Sequence, residues 1–198
     1  MKIKIKIMIL ILFVCNIAFG QQCNECKTQF DILLVGLKKE KISNSELSKY
    51  AEIVKILWKE KYYDYVDSVA NYTMYTSHSL TEVYADLCIK CGGEFGVKSY
   101  VEYIDLTIGS AEEERAFSFE RLFVKYPLIT LKLIKGDQSS LDNLVWGFVN
   151  NRYFENTTLT KTNCKELFFK TNPRLKDNYS KYSKEIDYII SEVIKKLD

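Results

Sequence analysis

The stretch Ser79-Leu-Thr-Glu-Val-Tyr-Ala-Asp-Leu-Cys-Ile-Lys-Cys-Gly-Gly93 carries the signals for one complete helix. Ser79 and Glu82 form a capping box, in which each side chain can satisfy a backbone N–H group at the helix start. The apolar residues that follow recur at helical spacing: Leu80, Val83, Tyr84 and Leu87. Gly92 and Gly93 predict the helix end, because glycine readily adopts the left-handed backbone conformation found there.

The same helical periodicity extends on both sides of this stretch, and no segment alternates apolar and polar residues as a strand would. We predict an all-α fold of seven to nine helices, arranged as an irregular multi-helix bundle. The alternative is a degenerate α-solenoid of helix pairs, since helix-turn-helix pairs recur without a clear sequence period. The predicted helices lie near 26–39, 46–58, 79–91, 97–109, 110–126, 127–136, 137–150, 164–170 and 182–197. For the second helix the alternative is a continuation to Tyr72, because Val66, Val69 and Tyr72 keep the helical phase.

The first 20 residues have the pattern of a secretory signal peptide. Three lysines precede the apolar run 7–14, and Ala18-Phe19-Gly20 resembles a cleavage site that leaves Gln21 first. The apolar run is short for a membrane span, although an uncleaved anchor is the alternative. We therefore predict an exported, periplasmic or secreted protein with a single helical domain over 21–198 and no stable membrane span after cleavage.

Removal of the signal peptide changes the charge of the protein. The whole chain has 28 basic and 26 acidic residues, and the signal carries three of the bases, so the mature net charge is 25 − 26 = −1. A nucleic-acid-binding protein usually has a strongly basic surface, so this balance argues against nucleic acid as the partner. No glycine-rich phosphate loop is present, and the sequence implies no cofactor.

Outside the predicted signal peptide, which contains Cys15, the five remaining cysteines form two C-x-x-C pairs, Cys23/Cys26 and Cys88/Cys91, with Cys164 left over. Such pairs occur in zinc sites, in disulfides and in thiol exchange. Export to an oxidising compartment favours disulfides. Antiparallel packing of the two helices that carry the pairs would join Cys26 to Cys88 and Cys23 to Cys91. The sequence thus predicts a disulfide-stapled protein without a metal site, and Cys164 as a small buried apolar residue.

Few residues are candidates for catalysis. The single histidine, His78, lies in a predicted loop without a nucleophile motif, and one histidine cannot form a multi-histidine metal site. Glu112, Glu113, Glu114 and Glu120 could supply the paired carboxylates of a glycosidase. A helix cap followed by a solvated face explains the same glutamates without an active site.

Charge and tyrosine are unevenly distributed along the chain. Residues 82–120 contain nine acids and three bases, whereas residues 161–198 contain nine bases and six acids. Tyrosine is enriched just before the acidic stretch, and tyrosine is favoured at protein interfaces. We predict a binding surface for another, basic protein. Its residues are Tyr62, Tyr63, Tyr65, Tyr72, Glu112, Glu113 and Glu114.

These features together resemble, in general type, an immunity protein or inhibitor that neutralises a toxin or hydrolase. The resemblance rests on no specific motif. The first alternative is a helical cell-wall hydrolase that uses the carboxylates between Glu112 and Glu120. The second alternative is a structural protein of the cell envelope.

Overall fold

The computed structural model describes residues 25–59, 79–106, 112–150 and 161–197. Every regular element in these ranges is an α-helix, and no strand occurs in them. The prediction of an all-α fold is therefore confirmed. None of the helices in this part of the chain is long and apolar enough to cross a bilayer.

The helices follow the predicted periodicity closely, with ends that differ by a few residues. The first helix, α1, occupies residues 25–37 of the described chain. The later helices are α2 (Asn44–Lys59), α3 (Leu80–Cys91), α4 (Gly93–Leu106), α5 (Glu112–Lys125), α6 (Pro127–Leu133), α7 (Gln138–Asn150), α8 (Lys161–Thr171), α9 (Pro173–Asp177) and α10 (Tyr179–Leu197).

The predicted capping box at the start of α3 is present. The backbone N–H of Glu82 donates to Ser79 Oγ over 3.2 Å, and the backbone N–H of Ser79 donates to Glu82 Oε2 over 3.1 Å. A similar box precedes α2, where the N–H of Ser43 donates to Glu46 Oε2 over 2.9 Å. Both boxes satisfy donors that a helix start would otherwise leave without a partner.

The middle helices approach each other at two glycines. A Cβ atom placed on Gly147 of α7 would lie 2.4 Å from the carbonyl oxygen of Ala116 in α5. A Cβ atom on Gly96 of α4 would lie 2.3 Å from the carbonyl oxygen of Cys88 in α3. Only glycine permits these separations, since real Cβ atoms do not come so close to backbone oxygen. Among the described helices α2 to α10, the contact between α5 and α7 is the most extensive.

Three phenylalanines join α5, α7 and α8 in the core. The ring of Phe123 lies 5.6 Å from that of Phe148 and 5.9 Å from that of Phe168, and all three side chains are buried. These distances are typical of aromatic pairs that stack edge to face or at a tilt. Full burial of each ring stabilises the folded state by about 2 kcal/mol in transfer free energy.

A second cluster of buried rings contains Tyr84, Tyr100 and Tyr103, with centroids 5.1 to 6.4 Å apart. The hydroxyl groups of Tyr100 and Tyr103 form hydrogen bonds inside the protein. Tyr100 donates to the carbonyl oxygen of Arg115 over 3.2 Å, and Tyr103 shares a 2.8 Å hydrogen bond with Thr81 Oγ1. Burial raises the pKa of Tyr84 and Tyr100 well above the usual range, so both hydroxyls are neutral. These tyrosines belong to the core.

The last helix differs from the sequence-based prediction at its start. Tyr182 has φ −126° and ψ 25°, which is not helical, so α10 bends there. The short helix α9 precedes it, with Pro173 in the first turn, where the missing N–H group costs nothing. The periodicity of 182–197 predicts the long part of α10 but neither the bend nor α9.

The predicted disulfide staple is not formed. The expected bridge between Cys26 and Cys88 is absent, and Cys91 is a thiol, so its expected bridge to Cys23, which lies outside the described residues, is absent as well. Four cysteines are described, and all are thiols: Cys26, Cys88, Cys91 and Cys164.

The orientation of α3 explains this correction. Cys88 and Cys91 are three residues apart and lie on one side of α3, about 60° from each other, but they differ in burial. Cys88 is fully buried, one turn after Tyr84 on the same helix. Cys91 lies at the edge of the core, where its Sγ donates to Asn44 Oδ1 over 3.4 Å. Helical spacing alone therefore did not place the two thiols opposite a second pair. The prediction that Cys164 is buried is confirmed.

Candidate functional site

The predicted binding surface lies mostly outside the part of the chain that the structure describes. Tyr62, Tyr63, Tyr65 and Tyr72 fall in 60–78, as does His78. Glu112, Glu113 and Glu114 form the first turn of α5, but their side chains are not among those described. The surface that these seven residues were expected to form stays a prediction.

Several acids of the predicted acidic stretch are paired with bases on neighbouring helices. Asp86 of α3 pairs with Arg121 of α5. Glu94 of α4 lies 2.9 Å from the ammonium group of Lys132 in α6. These two carboxylates therefore connect helices, and two of the nine acids counted along 82–120 are balanced by bases outside that stretch.

Glu120, one of the four candidate catalytic glutamates, faces the interior. Its side chain is only 3% exposed, and it lies where α5 crosses α7 at Gly147. A glycosidase needs two carboxylates that both reach the substrate. The burial of Glu120 therefore weakens the hydrolase hypothesis for this residue.

The pKa values of three thiols are raised, as is typical of buried cysteines with a structural role. Burial raises the pKa of Cys88 well above its usual value and that of Cys164 to about 11. Burial also raises the pKa of Cys91, although the ammonium group of Lys41 opposes this shift. A nucleophilic cysteine requires the opposite, a lowered pKa that populates the thiolate at neutral pH. These three thiols are therefore protonated and poorly reactive.

One junction of the fold brings together residues that the sequence did not link. The loop before α2 docks on the end of α3, where Lys90 Nζ donates to the carbonyl oxygen of Lys39 over 2.8 Å. Tyr126, between α5 and α6, donates from its hydroxyl group to the carbonyl oxygen of Ile89 over 3.0 Å. Lys90 and Lys39 are 51 residues apart in the sequence, and Tyr126 and Ile89 are 37 residues apart, so no local pattern predicts either bond. These two hydrogen bonds connect the end of α3 to the loop before α2 and to the start of α6.

Large apolar side chains are exposed on each of the first two helices. Ile32 and Val35 of α1 are 45% and 56% exposed, and their spacing of three residues places them on one helix face. Ile56 of α2 is 46% exposed. The two helices are neighbours, because a Cβ atom on Gly36 would touch the ring of Tyr50. We call Ile32, Val35 and Ile56 the apolar strip.

The described residues contain no group of three histidine, cysteine, aspartate or glutamate side chains that could hold a metal ion. Comparison of the chain with protein families, characterised proteins and solved structures gave no significant match. The function is therefore argued from the chain itself.

Proposed function

We propose that this chain is an exported binding protein that neutralises a toxin or hydrolase, as an immunity protein or inhibitor does. The observation that carries the proposal is the apolar strip on α1 and α2. An exposed isoleucine or valine is common on protein surfaces when it stands alone. Two on one helix face, with a third on the adjacent helix, are more typical of a contact surface.

The strip is continuous in sequence with the tyrosines predicted to bind. Ile56 lies one turn before the end of α2 at Lys59, and Tyr62, Tyr63 and Tyr65 follow directly along the chain. Aliphatic and tyrosine side chains together supply the buried centre of a protein interface, where most of the binding energy resides. The partner is therefore another protein, and its basic character stays a prediction from Glu112 to Glu114.

Inhibition of a neighbouring gene product tests this function. The mature chain, residues 21–198, is mixed with each secreted toxin or hydrolase encoded beside its gene, and the residual activity is titrated. We expect one of them to lose activity at a ratio of about one to one. The double variant Ile32→Ser, Val35→Ser should raise the inhibition constant at least about tenfold, since each lost aliphatic contact is worth about 1–2 kcal/mol.

The matched control removes the same kind of side chain elsewhere. Phe95 of α4 and Val124 of α5 are 36% and 37% exposed, and Phe95→Ser with Val124→Ser should leave inhibition unchanged. Equal losses of inhibition in both double variants would mean that the apolar strip is not the contact surface.

The enzyme alternative has a distinct outcome. If no neighbouring protein is inhibited, and the purified chain releases fragments from peptidoglycan, the binding proposal is wrong. A Glu→Gln change at 112, 113, 114 or 120 that stops this release in a folded protein would then identify the acid.

Export is a separate part of the proposal. The intact mass of the protein recovered outside the cytoplasm should equal that of residues 21–198, with allowance for cyclisation of Gln21. A mass that retains residues 1–20 would contradict cleavage of the signal peptide.

A further inference from the structure

Six exposed cationic side chains lie near the junction of α6, α8, α9 and α10. None of the six forms an ion pair with another described residue, in contrast to Asp86 with Arg121 and Glu94 with Lys132. We call this set the basic end. Its members are Lys135, Lys170, Arg174, Lys176, Lys181 and Lys184.

Packing brings these cations together from separate segments. Helix α9, which carries Arg174 and Lys176, contacts α6, α8 and α10. Lys135 follows α6, and Lys181 lies in the first turn of α10. Their ammonium groups lie 5.8 Å and 5.3 Å from the centre of the same buried ring, that of Tyr182. The bend of α10 at Tyr182 thus sets two cations from distant parts of the chain around one aromatic side chain.

Few carboxylates are available to balance this charge. Asp137 follows Lys135, but its Oδ1 accepts from the backbone N–H groups of Ser139 and Ser140 over 3.1 Å and 3.4 Å, which caps α7. Asp177 and Glu166 are the exposed acids on α9 and α8. Glu185 of α10 is buried four residues after Lys181. The six cations face four acids, Asp137, Glu166, Asp177 and Glu185, so the basic end keeps an excess of two positive charges on a protein whose predicted mature net charge is −1.

The basic end has no large exposed apolar side chain in the described residues. The side chains of that kind belong to α1, α2, α4, α5 and α7. A protein interface usually has an apolar centre, and a membrane-binding surface usually inserts apolar side chains among the headgroups. Five of the six cations are lysines, whose compact ammonium groups stay strongly hydrated. Such a surface fits a hydrated partner with repeated negative charge.

We propose that the basic end binds a linear polymer of repeating phosphates. This inference does not depend on the proposed neutralisation of a protein, because it uses a different surface and a different chemistry. The phosphates would contact the flexible ammonium groups one at a time. Affinity would then come mainly from release of counterions, as in sequence-independent binding to nucleic-acid backbones.

The test uses the mature chain and fluorescently labelled inorganic polyphosphate, with affinity measured by anisotropy as KCl is raised. We expect log Kd to rise linearly with log salt, with a slope near 0.7–0.9 per phosphate contact. The triple variant Arg174→Gln, Lys176→Gln, Lys181→Gln should bind at least about tenfold more weakly, with a slope smaller by about two. All three side chains are exposed, so the variant should fold normally.

The control variant removes the same charge from other surfaces. Lys27, Lys49 and Lys125 are exposed on α1, α2 and α5, and their joint change to Gln should alter Kd by less than about twofold. Equal loss in both triple variants would overturn the proposal, because binding would then follow net charge alone. Absence of salt-dependent binding by the wild-type protein would also overturn it.

Vesicles distinguish a phosphate polymer from a lipid surface. Vesicles with anionic phospholipid should bind more weakly than polyphosphate at the same phosphate concentration and salt. Tighter binding to these vesicles, lost in the basic-end variant, would overturn the polymer proposal in favour of a membrane surface.

Discussion

The hydroxyl group of Tyr126 lies directly over Gly92 and donates a 3.0 Å hydrogen bond to the carbonyl oxygen of Ile89. It thereby occupies an acceptor in the last turn of α3 and fills the space beside the glycine. Gly92 has φ 72° and ψ −175°, a conformation that is nearly restricted to glycine. The turn from α3 to α4 thus depends on two residues from different parts of the chain.

Substitution of Gly92 by alanine should be strongly destabilising. Alanine is strained at this φ and ψ, and its Cβ would lie 2.7 Å from Tyr126 Oη. We expect the free energy of unfolding in urea to fall by about 1–3 kcal/mol. Gly136→Ala is the control, because Gly136 also has positive φ but no atom lies within 4 Å of its Cβ position. Similar losses at both sites would mean that the contact with Tyr126 contributes nothing.

Removal of the Tyr126 hydroxyl group should have two measurable effects. Tyr126→Phe alone should cost about 1 kcal/mol, because the bond to Ile89 is lost. In the Gly92→Ala background the same change should cost less, since it also removes the atom that the new Cβ meets. A double-mutant cycle by urea unfolding measures this coupling. Strict additivity would contradict the contact.

Gly147→Ala should lower the free energy of unfolding, which is the opposite of the usual effect of this change within a helix. Replacement of glycine by alanine within an exposed helix stabilises the folded state by about 1 kcal/mol. At Gly147 the added Cβ meets the backbone of α5, so we expect a loss of about 1–3 kcal/mol in the free energy of unfolding. Ser48→Ala, at an exposed position in α2, should be neutral or slightly stabilising. A stabilising Gly147→Ala would show that α5 and α7 are farther apart.

Acid should weaken the protein partly through Glu46. Its pKa in the folded protein is lowered to about 2 by hydrogen bonds from the ammonium group of Lys39 and from the hydroxyl and N–H groups of Ser43. A lowered pKa means that the ionised form stabilises the folded state at higher pH. This contribution is lost as pH falls from about 4.5 towards 2. The urea midpoint should therefore fall in this window.

Two variants isolate this contribution. Glu46→Gln should make the fall in the urea midpoint shallower. Glu52→Gln, in the same helix and paired with Lys55 at 2.8 Å, should keep the slope of the wild type. If Glu46→Gln has the same slope as the wild type, the contacts to Lys39 and Ser43 are not made.

The thiols should react with iodoacetamide in the order of their exposure. Cys91 is partly exposed and should be modified first, at a rate below that of a free thiol because burial raises its pKa. Cys88 and Cys164 are fully buried and should react only after unfolding. Mass spectrometry of peptides at successive times measures the order. A peptide that links Cys26 to Cys88 without reductant would contradict the structure.

Local signals in the sequence predicted the helices well. The capping box of Ser79 with Glu82, the stop at Gly92 and the start at Pro127 all occur as expected, because each depends on residues within one turn. The bend at Tyr182 was not predicted, because the periodicity starts the helix at Tyr182 and gives no sign that helical residues precede it.

Contacts between distant segments could not be read from spacing. Helical periodicity placed Cys88 on an apolar face but could not show whether a second cysteine packs against that face. The count of acids along 82–120 likewise left out Arg121 and Lys132, which lie beyond that stretch. These two bases pair with two of the acids, Asp86 and Glu94. The basic end depends on the same kind of information, because Lys135 and Lys181 meet only through the fold.

The close approaches at Gly96 and Gly147 also limit how the chain can diverge in evolution. Most core positions tolerate exchange among apolar residues, whereas these two glycines face backbone oxygen atoms that cannot move aside. Gly92 is constrained as well, through its dihedral angles. A distant descendant of the same ancestor could therefore lose almost all identity and still keep three glycines at intervals of four and 51 residues. That spacing is a search pattern by which such descendants could be found.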